Sequence, residues 1–319
     1  MDSDALDTFL AVHRRGGISN AARFLHRSQP AISRRIALLE QELGVPLFER
    51  VAGRTLLSDA GRVLIPYAER PVAAAQDAEQ AVRALTKQTS GPVSLAVTGT
   101  LADSRLSGIM KGFARAHRGV ALTLRTATSA EVSALVRRGE ATIGLRYNLD
   151  RSRDLDCEPI LSEKLQVVCA PDHPLAGRRV KRLAQLASER WIAFPEIQGR
   201  PEVAAAHIFA LFLTQGLGDV VWTAVDSLTA QKRLVGSGFG LALLAQSHVA
   251  EELGSGAMST IAVGDLSASH NVAIVTRRDG FLSLAAQRLL DAIRGGYGAS
   301  RSPATERPAR KNSARRPDA

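Results

Sequence analysis

Ser28-Gln-Pro-Ala-Ile-Ser-Arg-Arg-Ile-Ala-Leu-Leu-Glu-Gln-Glu-Leu-Gly44 is the stretch whose reading decides the rest. Ile32, Ile36, Leu39 and Leu43 recur at helical spacing and predict one apolar face. Ser28 stands where an N-cap is needed, Pro30 lies in the first turn, and Gly44 ahead of Pro46 predicts the end of the helix. The opposite face is polar and basic. Its first turn offers Gln29, Ser33 and Arg34, side chains suited to base edges and phosphates, while Pro30 and Ala31 are small enough to approach a thymine methyl. A solvated helix in an ordinary bundle has the same periodicity, so the neighbouring segments have to decide.

Upstream, Leu6, Phe9, Leu10 and His13 predict a first helix that ends at Gly16-Gly17. A second, with Ser19 as its N-cap, carries Ala21, Ala22 and Leu25, and the two small residues permit a close helix crossing. The short turn His26-Arg-Ser28 then makes a helix-turn-helix. Downstream, Leu47-Phe-Glu-Arg50, Val51-Ala-Gly53 and Arg54-Thr-Leu-Leu57 predict a two-stranded hairpin with an arginine on either side of its tip, a wing that lays cations along a DNA backbone. From Ser58-Asp59 a further helix runs to about Thr89 with Leu64, Tyr67, Ala74, Ala78, Ala81, Val82 and Leu85 as an apolar seam. A small domain has nothing to cover such a seam, so a second copy of the chain is expected there. Pro66 and Pro71 predict a kink or a late start.

The charge distribution agrees. The net charge is +10, and the stretch from Arg14 to Arg54 holds eight Arg against three Glu, a basic patch of the kind a phosphate-facing surface needs. With 319 residues, 45% of them hydrophobic, the chain is long enough for two cores and a small third. No apolar run is long enough to span a membrane, and the N-terminus lacks the pattern of a signal peptide. Cys157 and Cys169 are the only cysteines, too few for a disulfide framework or a four-cysteine zinc site. A cytoplasmic protein without metal or other cofactor is the expectation.

Thr89-Ser-Gly-Pro92 marks the boundary to the second part. Beyond it Val93–Val97, Val120–Leu124, Thr142–Leu145, Leu165–Ala170, Val220–Thr223, Gly240–Leu244 and Val272–Thr276 read as strands, with amphipathic stretches between most of them. That alternation predicts an α/β domain with largely parallel sheets, and Glu158-Pro-Ile-Leu-Ser162 reads as an extended strand crossing between two lobes. The expected division is residues 1–58 for a winged helix-turn-helix, 59–90 for a long linker helix, and 91–297 for a two-lobed α/β domain. Within it, 91–161 and 269–297 form the first lobe and 162–268 the second. Residues 298–319, with six basic side chains, cannot bury a core and are expected to be a disordered basic tail, with or without a part in non-specific DNA affinity.

Gly17-Ile-Ser-Asn-Ala-Ala22, Ser28-Gln-Pro-Ala-Ile-Ser33, Leu38-Leu-Glu-Gln-Glu-Leu-Gly-Val-Pro-Leu-Phe-Glu-Arg50 and Leu57-Ser-Asp-Ala-Gly61 resemble the winged helix-turn-helix of LysR-type transcriptional regulators. Ala170-Pro-Asp-His-Pro-Leu175 and Val235-Gly-Ser-Gly-Phe-Gly-Leu-Ala-Leu-Leu244 extend the resemblance, more loosely, to about residue 295. It implies a dimer or tetramer that reads a pseudo-palindromic operator on double-stranded DNA, followed by an effector domain resembling periplasmic binding proteins. It implies DNA contacts for Ser28, Gln29, Pro30, Ser33 and Arg34 and wing contacts for Arg50 and Arg54.

In such a fold a ligand binds between the lobes, where helix N-termini offer spare N–H groups to an anion. Thr98-Gly-Thr-Leu-Ala102, Ala127-Thr-Ser129 and Val225-Asp-Ser-Leu-Thr229 each follow a strand and open a helix. Thr98, Thr100, Leu101, Thr128 and Ser129 are therefore expected to touch a small anionic effector, with Phe194, Pro195 and Asp226 as walls of the second lobe. The chain departs from the family pattern at Thr142, which stands where the family more often has Asp. Arg146, just before Tyr147, is expected either to meet a ligand carboxylate or to pair with Asp150 or Asp154. His207 and His248 have no second ligand at metal spacing and are expected in core or surface roles. Cys169, inside an apolar run, reads as a buried inert thiol and Cys157 as exposed, with a reversible bond between them as the alternative.

No phosphate loop, dinucleotide fingerprint or nucleophile elbow is present, which argues against an enzyme. Two other readings remain beside an effector-controlled regulator. A ligand-independent DNA binder leaves the two-lobed domain idle, and a small-molecule binding protein without operator recognition leaves the basic head unexplained.

Overall fold

The computed structural model describes residues 1–51, 53–86, 92–194 and 203–298. In the head, α1 (Ser3–Arg15) starts where the Asp2 carboxylate accepts from the Ala5 N–H and stops at Gly16, whose φ of 74° is left-handed. Leu6, Phe9 and Leu10 face inward as the spacing predicts. α2 (Ile18–Phe24) begins two residues earlier than expected, with Gly17 as its cap, so Ser19 lies inside the helix and caps nothing. α3 (Gln29–Leu43) is capped by Ser28 and ended by Gly44, and buries Ile32, Ile36 and Leu39; Leu43 is 38% exposed and leaves the predicted apolar face.

The hairpin of β1 (Phe48–Val51) and β2 (Arg54–Leu57) follows, antiparallel, with Val51 opposite Arg54. Ser58 then ties three segments together. Its hydroxyl donates to the Pro46 carbonyl at 2.6 Å and accepts from the Gly61 N–H at 3.0 Å. A Cβ on Gly61 would lie 2.2 Å from the Leu47 carbonyl oxygen, so only glycine lets α4 start against this strand. α4 (Asp59–Thr86) contains both Pro66 and Pro71 and starts at once, so the late start does not occur. It buries Ala68, Val72 and Ala73, while Val63, Tyr67, Ala74, Ala78 and Val82 stay open to solvent.

The remaining chain builds two cores on one continuous strand system. β3 (Val93–Thr98), α5 (Ser104–Ala116), β4 (Leu122–Ala127), α6 (Ser129–Arg137) and β5 (Ile143–Tyr147) form a parallel unit in the order β4-β3-β5. β6 (Leu155–Cys169) is 15 residues long. The expected strand at Leu165–Ala170 is its last third, and the expected crossing segment Glu158–Ser162 lies in its middle. β7 (Arg179–Val180), β8 (Arg190–Ala193), α7 (Val203–Thr214), β9 (Val221–Ala224), α8 (Leu228–Gly236), β10 (Ala242–Ala245), α9 (Ala250–Gly254) and β11 (Ser259–Val263) make the second lobe. β12 (Ser269–Arg277) returns beside β6, and α10 (Leu284–Gly298) closes the first lobe.

The sheets are more mixed than expected. β3 pairs in parallel with β4 and β5, β8 with β9, and β7 with β11. β12 pairs antiparallel with β5 and β6, and β6 antiparallel with β10 and β11. The long strand therefore serves both lobes. Pro159 is accommodated in it by a bulge, because the register shifts by one residue between Val272 and Ala273 and leaves Ile160 without an opposite partner. Tyr147, Ile160, Val272 and Leu289 belong to the first core, and Trp191, Phe212, Leu217 and Leu241 to the second.

Both cysteines lie on β6, twelve positions apart, which along a strand is about 40 Å. A disulfide between them within one chain is excluded by that span. The expected basic tail from residue 299 onward lies outside the described residues. Among the described residues no helix is long and apolar enough to cross a membrane.

Candidate DNA-reading helix and interlobe cleft

α3 presents Gln29, Pro30, Ser33 and Arg34 on its solvent face, while Ile32 and Ile36 lock its other side into the head. Ser28, Arg50 and Arg54 are also exposed, and Arg34, Arg50 and Arg54 make no ion pair among the described residues. Seven predicted DNA contacts thus remain available to a polyanion. Arg35 behaves differently. It is half-buried and pairs with Asp4, which also holds the Arg27 guanidinium by two hydrogen bonds of 3.0 Å.

Between the lobes lies a cavity of about 700 Å³. Thr98, Thr100, Thr128, Phe194 and Asp226, all expected near an effector, line it. Three predicted residues do not. Leu101 is 1% exposed and packs in the first core. Ser129 sits behind the wall, its hydroxyl 3.2 Å from that of Thr98 and accepting from the Tyr147 N–H. Arg146 points away, because successive strand residues face opposite sides and Tyr147 takes the cleft side. Its Nη1 donates to Ser133 at 2.6 Å and to Asp150 at 2.7 Å, which is one of the two pairings expected for it. Burial alone would raise the Asp150 carboxyl, but hydrogen bonds from Ser152 and Ser133 and the Arg146 charge hold it down at about 2. Pro195 lies outside the described residues.

The floor of the cleft is built from groups the sequence does not single out together. Thr100 donates to the Tyr147 hydroxyl at 3.0 Å, and that hydroxyl lies 3.0 Å from His248 Nε2. Burial pushes the His248 imidazole down to about 4 against the opposing pull of Asp103. His248 is therefore a neutral cleft residue, neither core nor surface. Behind it a chamber of about 40 Å³ shares Thr100, Tyr147, Phe194 and His248 as walls and reaches Gln231 and His270. His270 is also pushed down to about 4 by burial, with His207 and His248 adding to the effect.

The helix ends that face the cleft are already capped by their own side chains. Asp103 accepts from the Leu106 N–H at 2.9 Å, Ser227 caps α8, and Thr128 with Glu131 forms a reciprocal capping box on α6. The described lining carries Asp103, Asp226, Glu251 and Glu252 against one cation, Lys232, and Lys232 is bound to Glu252 at 2.6 Å. The expected anion would thus meet a wall with more carboxylates than cations.

The head is fastened to the first lobe by charge. Arg14 on α1 reaches Glu69 on α4 at 3.2 Å and Glu140 at 3.4 Å, and Arg138 meets the same Glu140 at 2.7 Å. Further along α4, Asp77 accepts from Arg277 at 2.5 Å and from the Phe281 N–H at 3.2 Å.

Comparison with known proteins agrees with this architecture. Residues 3–62 match the model of the bacterial regulatory helix-turn-helix protein of the lysR family, and residues 86–297 match the LysR substrate binding domain. The RuBisCO operon transcriptional regulator of Allochromatium vinosum is 28% identical over 281 residues, 88% of this chain and 91% of that protein. A full-length OxyR variant from Pseudomonas aeruginosa has a TM-score of 0.70 at 19% identity, covering 93% of this chain and 94% of its own. Full-length CbnR in complex with its target DNA has a TM-score of 0.58 at 24% identity, covering 93% of this chain and all of its own. The two structures establish a shared fold, and the matched models establish the rest: this chain belongs to the LysR family of DNA-binding transcriptional regulators with an effector-binding domain.

Proposed function

We infer that two copies of the chain join through the open face of α4 and set their α3 helices into successive major grooves of a pseudo-palindromic operator. Val63, Tyr67, Ala74, Ala78 and Val82 supply the apolar contact, since α4 leaves them uncovered while its other face is used on the head. Gln29, Ser33 and Arg34 read base edges with Pro30 against the groove floor, and Ser28 and the wing arginines Arg50 and Arg54 hold the backbone. The chain works in the cytoplasm, where its DNA is, and carries out no catalysis. An effector enters the cleft lined by Thr98, Thr100, Thr128, Phe194 and Asp226, and the ion pairs of Glu140 and Asp77 carry its lobe's orientation to the head.

The single observation behind this reading is the two-sided use of α3, whose apolar side is fixed while Gln29, Ser33 and Arg34 stand unengaged. The test is sequencing of genomic fragments retained by the purified full-length protein at two salt concentrations. A few inverted repeats that survive the higher salt are expected. Uniform retention that vanishes with salt would reduce the head to a non-specific polycation binder.

A further inference from the structure

The charge and hydrogen-bonding character of the cleft specify the class of effector, given the reading that this cleft is the effector site. Two of its carboxylates, Asp226 on the segment before α8 and Glu251 on α9, are exposed and make no ion pair among the described residues. The single described cation in the lining is neutralised by Glu252. Deeper in, Gln231 is fully buried, and its amide N–H donates to the Val225 carbonyl at 2.9 Å, which fixes the orientation of the amide. Its oxygen has no partner among the described residues, and the side chain borders the chamber. His270, 4% exposed, has an unpartnered Nε2 on the same chamber. A buried polar atom without a partner is costly and points to a group that arrives from outside.

We propose that the effector of this protein is a small organic cation, an amine or guanidinium compound, whose charged end is held between Asp226 and Glu251 and whose uncharged end brings a hydrogen-bond donor to Gln231 in the inner chamber. The outer cavity has the size of ordinary metabolite sites. The inner one admits only a small group, and its apolar walls, Trp222, Ile192 and Leu244 among them, favour a neutral group there over a charged one. Asp103, Thr128 and Ser227 already take up one N–H each at the helix starts that face the cleft, part of the donor capacity that anion sites in such folds use.

The test uses a near-isosteric pair of probes, tyramine and 4-hydroxyphenylacetate, which differ in carrying an ammonium or a carboxylate on the same phenol skeleton. Binding to the full-length protein is measured by calorimetry up to about 10 mM, enough to detect millimolar affinity. Three proteins are compared: the unaltered chain, the double variant Asp226→Asn/Glu251→Gln, and Thr229→Trp, which fills the cleft from an exposed position on α8. The expected result is that tyramine binds and 4-hydroxyphenylacetate does not, that the double variant loses at least about tenfold in affinity, and that Thr229→Trp abolishes binding. Absence of tyramine binding overturns the inference, as does undiminished tyramine binding by a double variant that melts at the same temperature as the unaltered chain. Binding of the carboxylate, blocked by Thr229→Trp, overturns the charge class and leaves the cleft as the effector site. Binding of either probe that Thr229→Trp leaves intact overturns the cleft reading itself.

Discussion

The Tyr147 hydroxyl and His248 Nε2 stand 3.0 Å apart across 101 positions of sequence, and they join the first lobe to the second at the floor of the cleft. With Thr100 donating to the same hydroxyl, one phenol oxygen holds both sides. Tyr147→Phe keeps the packing and removes the link. It is expected to lower stability by about 1 kcal/mol in urea unfolding, the net value of one such hydrogen bond. An unchanged midpoint would mean that water replaces the link without loss.

Two buried imidazoles set the acid limit of the effector domain. His248 and His270 take up protons only near pH 4 in the folded chain, against 6.5 for an ordinary histidine, because burial disfavours their charged forms. Between those values the unfolded chain binds more protons, so acidification favours unfolding and stability rises with pH until about 6.5. Urea midpoints followed from about pH 7 to about pH 4 should fall through this window. The double variant His248→Gln/His270→Gln should flatten the fall. Asp150 acts separately: its lowered carboxyl loses its contribution only as pH drops from 3.8 toward 2.

Base readers and backbone holders on the head should separate in their salt response. Gln29→Ala and Ser33→Ala are expected to cost discrimination, about 1–3 kcal/mol where a bidentate contact is lost, with the salt slope unchanged. Arg54→Ala should weaken all sequences alike and reduce the slope by about one unit. Titrations of operator and scrambled duplexes at several salt concentrations read both quantities, and equal loss of specificity in the two groups would contradict the assignment.

The start of α4 leaves no room for a methyl group at Gly61, whose Cβ would meet the Leu47 carbonyl oxygen. Gly61→Ala is expected to cost about 1–3 kcal/mol, the usual range for overpacking, and to lower the melting temperature of the head. The substitution Gly254→Ala at an open position on α9 serves as a comparison and should be nearly silent.

Mild peroxide should leave thiol labelling of the native protein unchanged. Burial raises both thiols, Cys169 to about 11, so little thiolate is present, and β6 keeps them far apart. A reversible loss of labelling would instead point to a sulfenic acid on an accessible thiol or to a disulfide between chains.

How much of this is legible from sequence depends on the range of the contacts. Ser28, Gly44 and the spacing of Ile32, Ile36 and Leu39 act within a few residues, and the head reads almost whole. The errors there are local too: Gly17 rather than Ser19 takes the cap because its φ of 147° turns the chain into α2. Strands β7, β8 and β11 escape notice because a few ordinary residues become a strand only beside a distant partner, as Ser259 does opposite Cys169. The same distance hides the acidic wall. Glu251 and Glu252 reach the cleft because β10 pairs with β6 and delivers the following turn there, and no motif marks that turn. Arg146 is the avoidable miss, since alternation along β5 sends it and Tyr147 to opposite faces.

The crossing between lobes has a mechanical consequence. β6 and β12 run side by side from Leu155 opposite Arg277 to Lys164 opposite Ser269, so the connection is a hydrogen-bonded ribbon rather than a pair of loose tethers. Sliding one strand by a single residue would turn every side chain to the wrong face, which both cores forbid. The soft coordinate left to such a ribbon is torsion about its length at Lys164 and Ser269, where its pairing ends and β6 passes to β10. The lobes therefore behave as two paddles on one torsion bar, and whatever fills the cleft is registered as an angle.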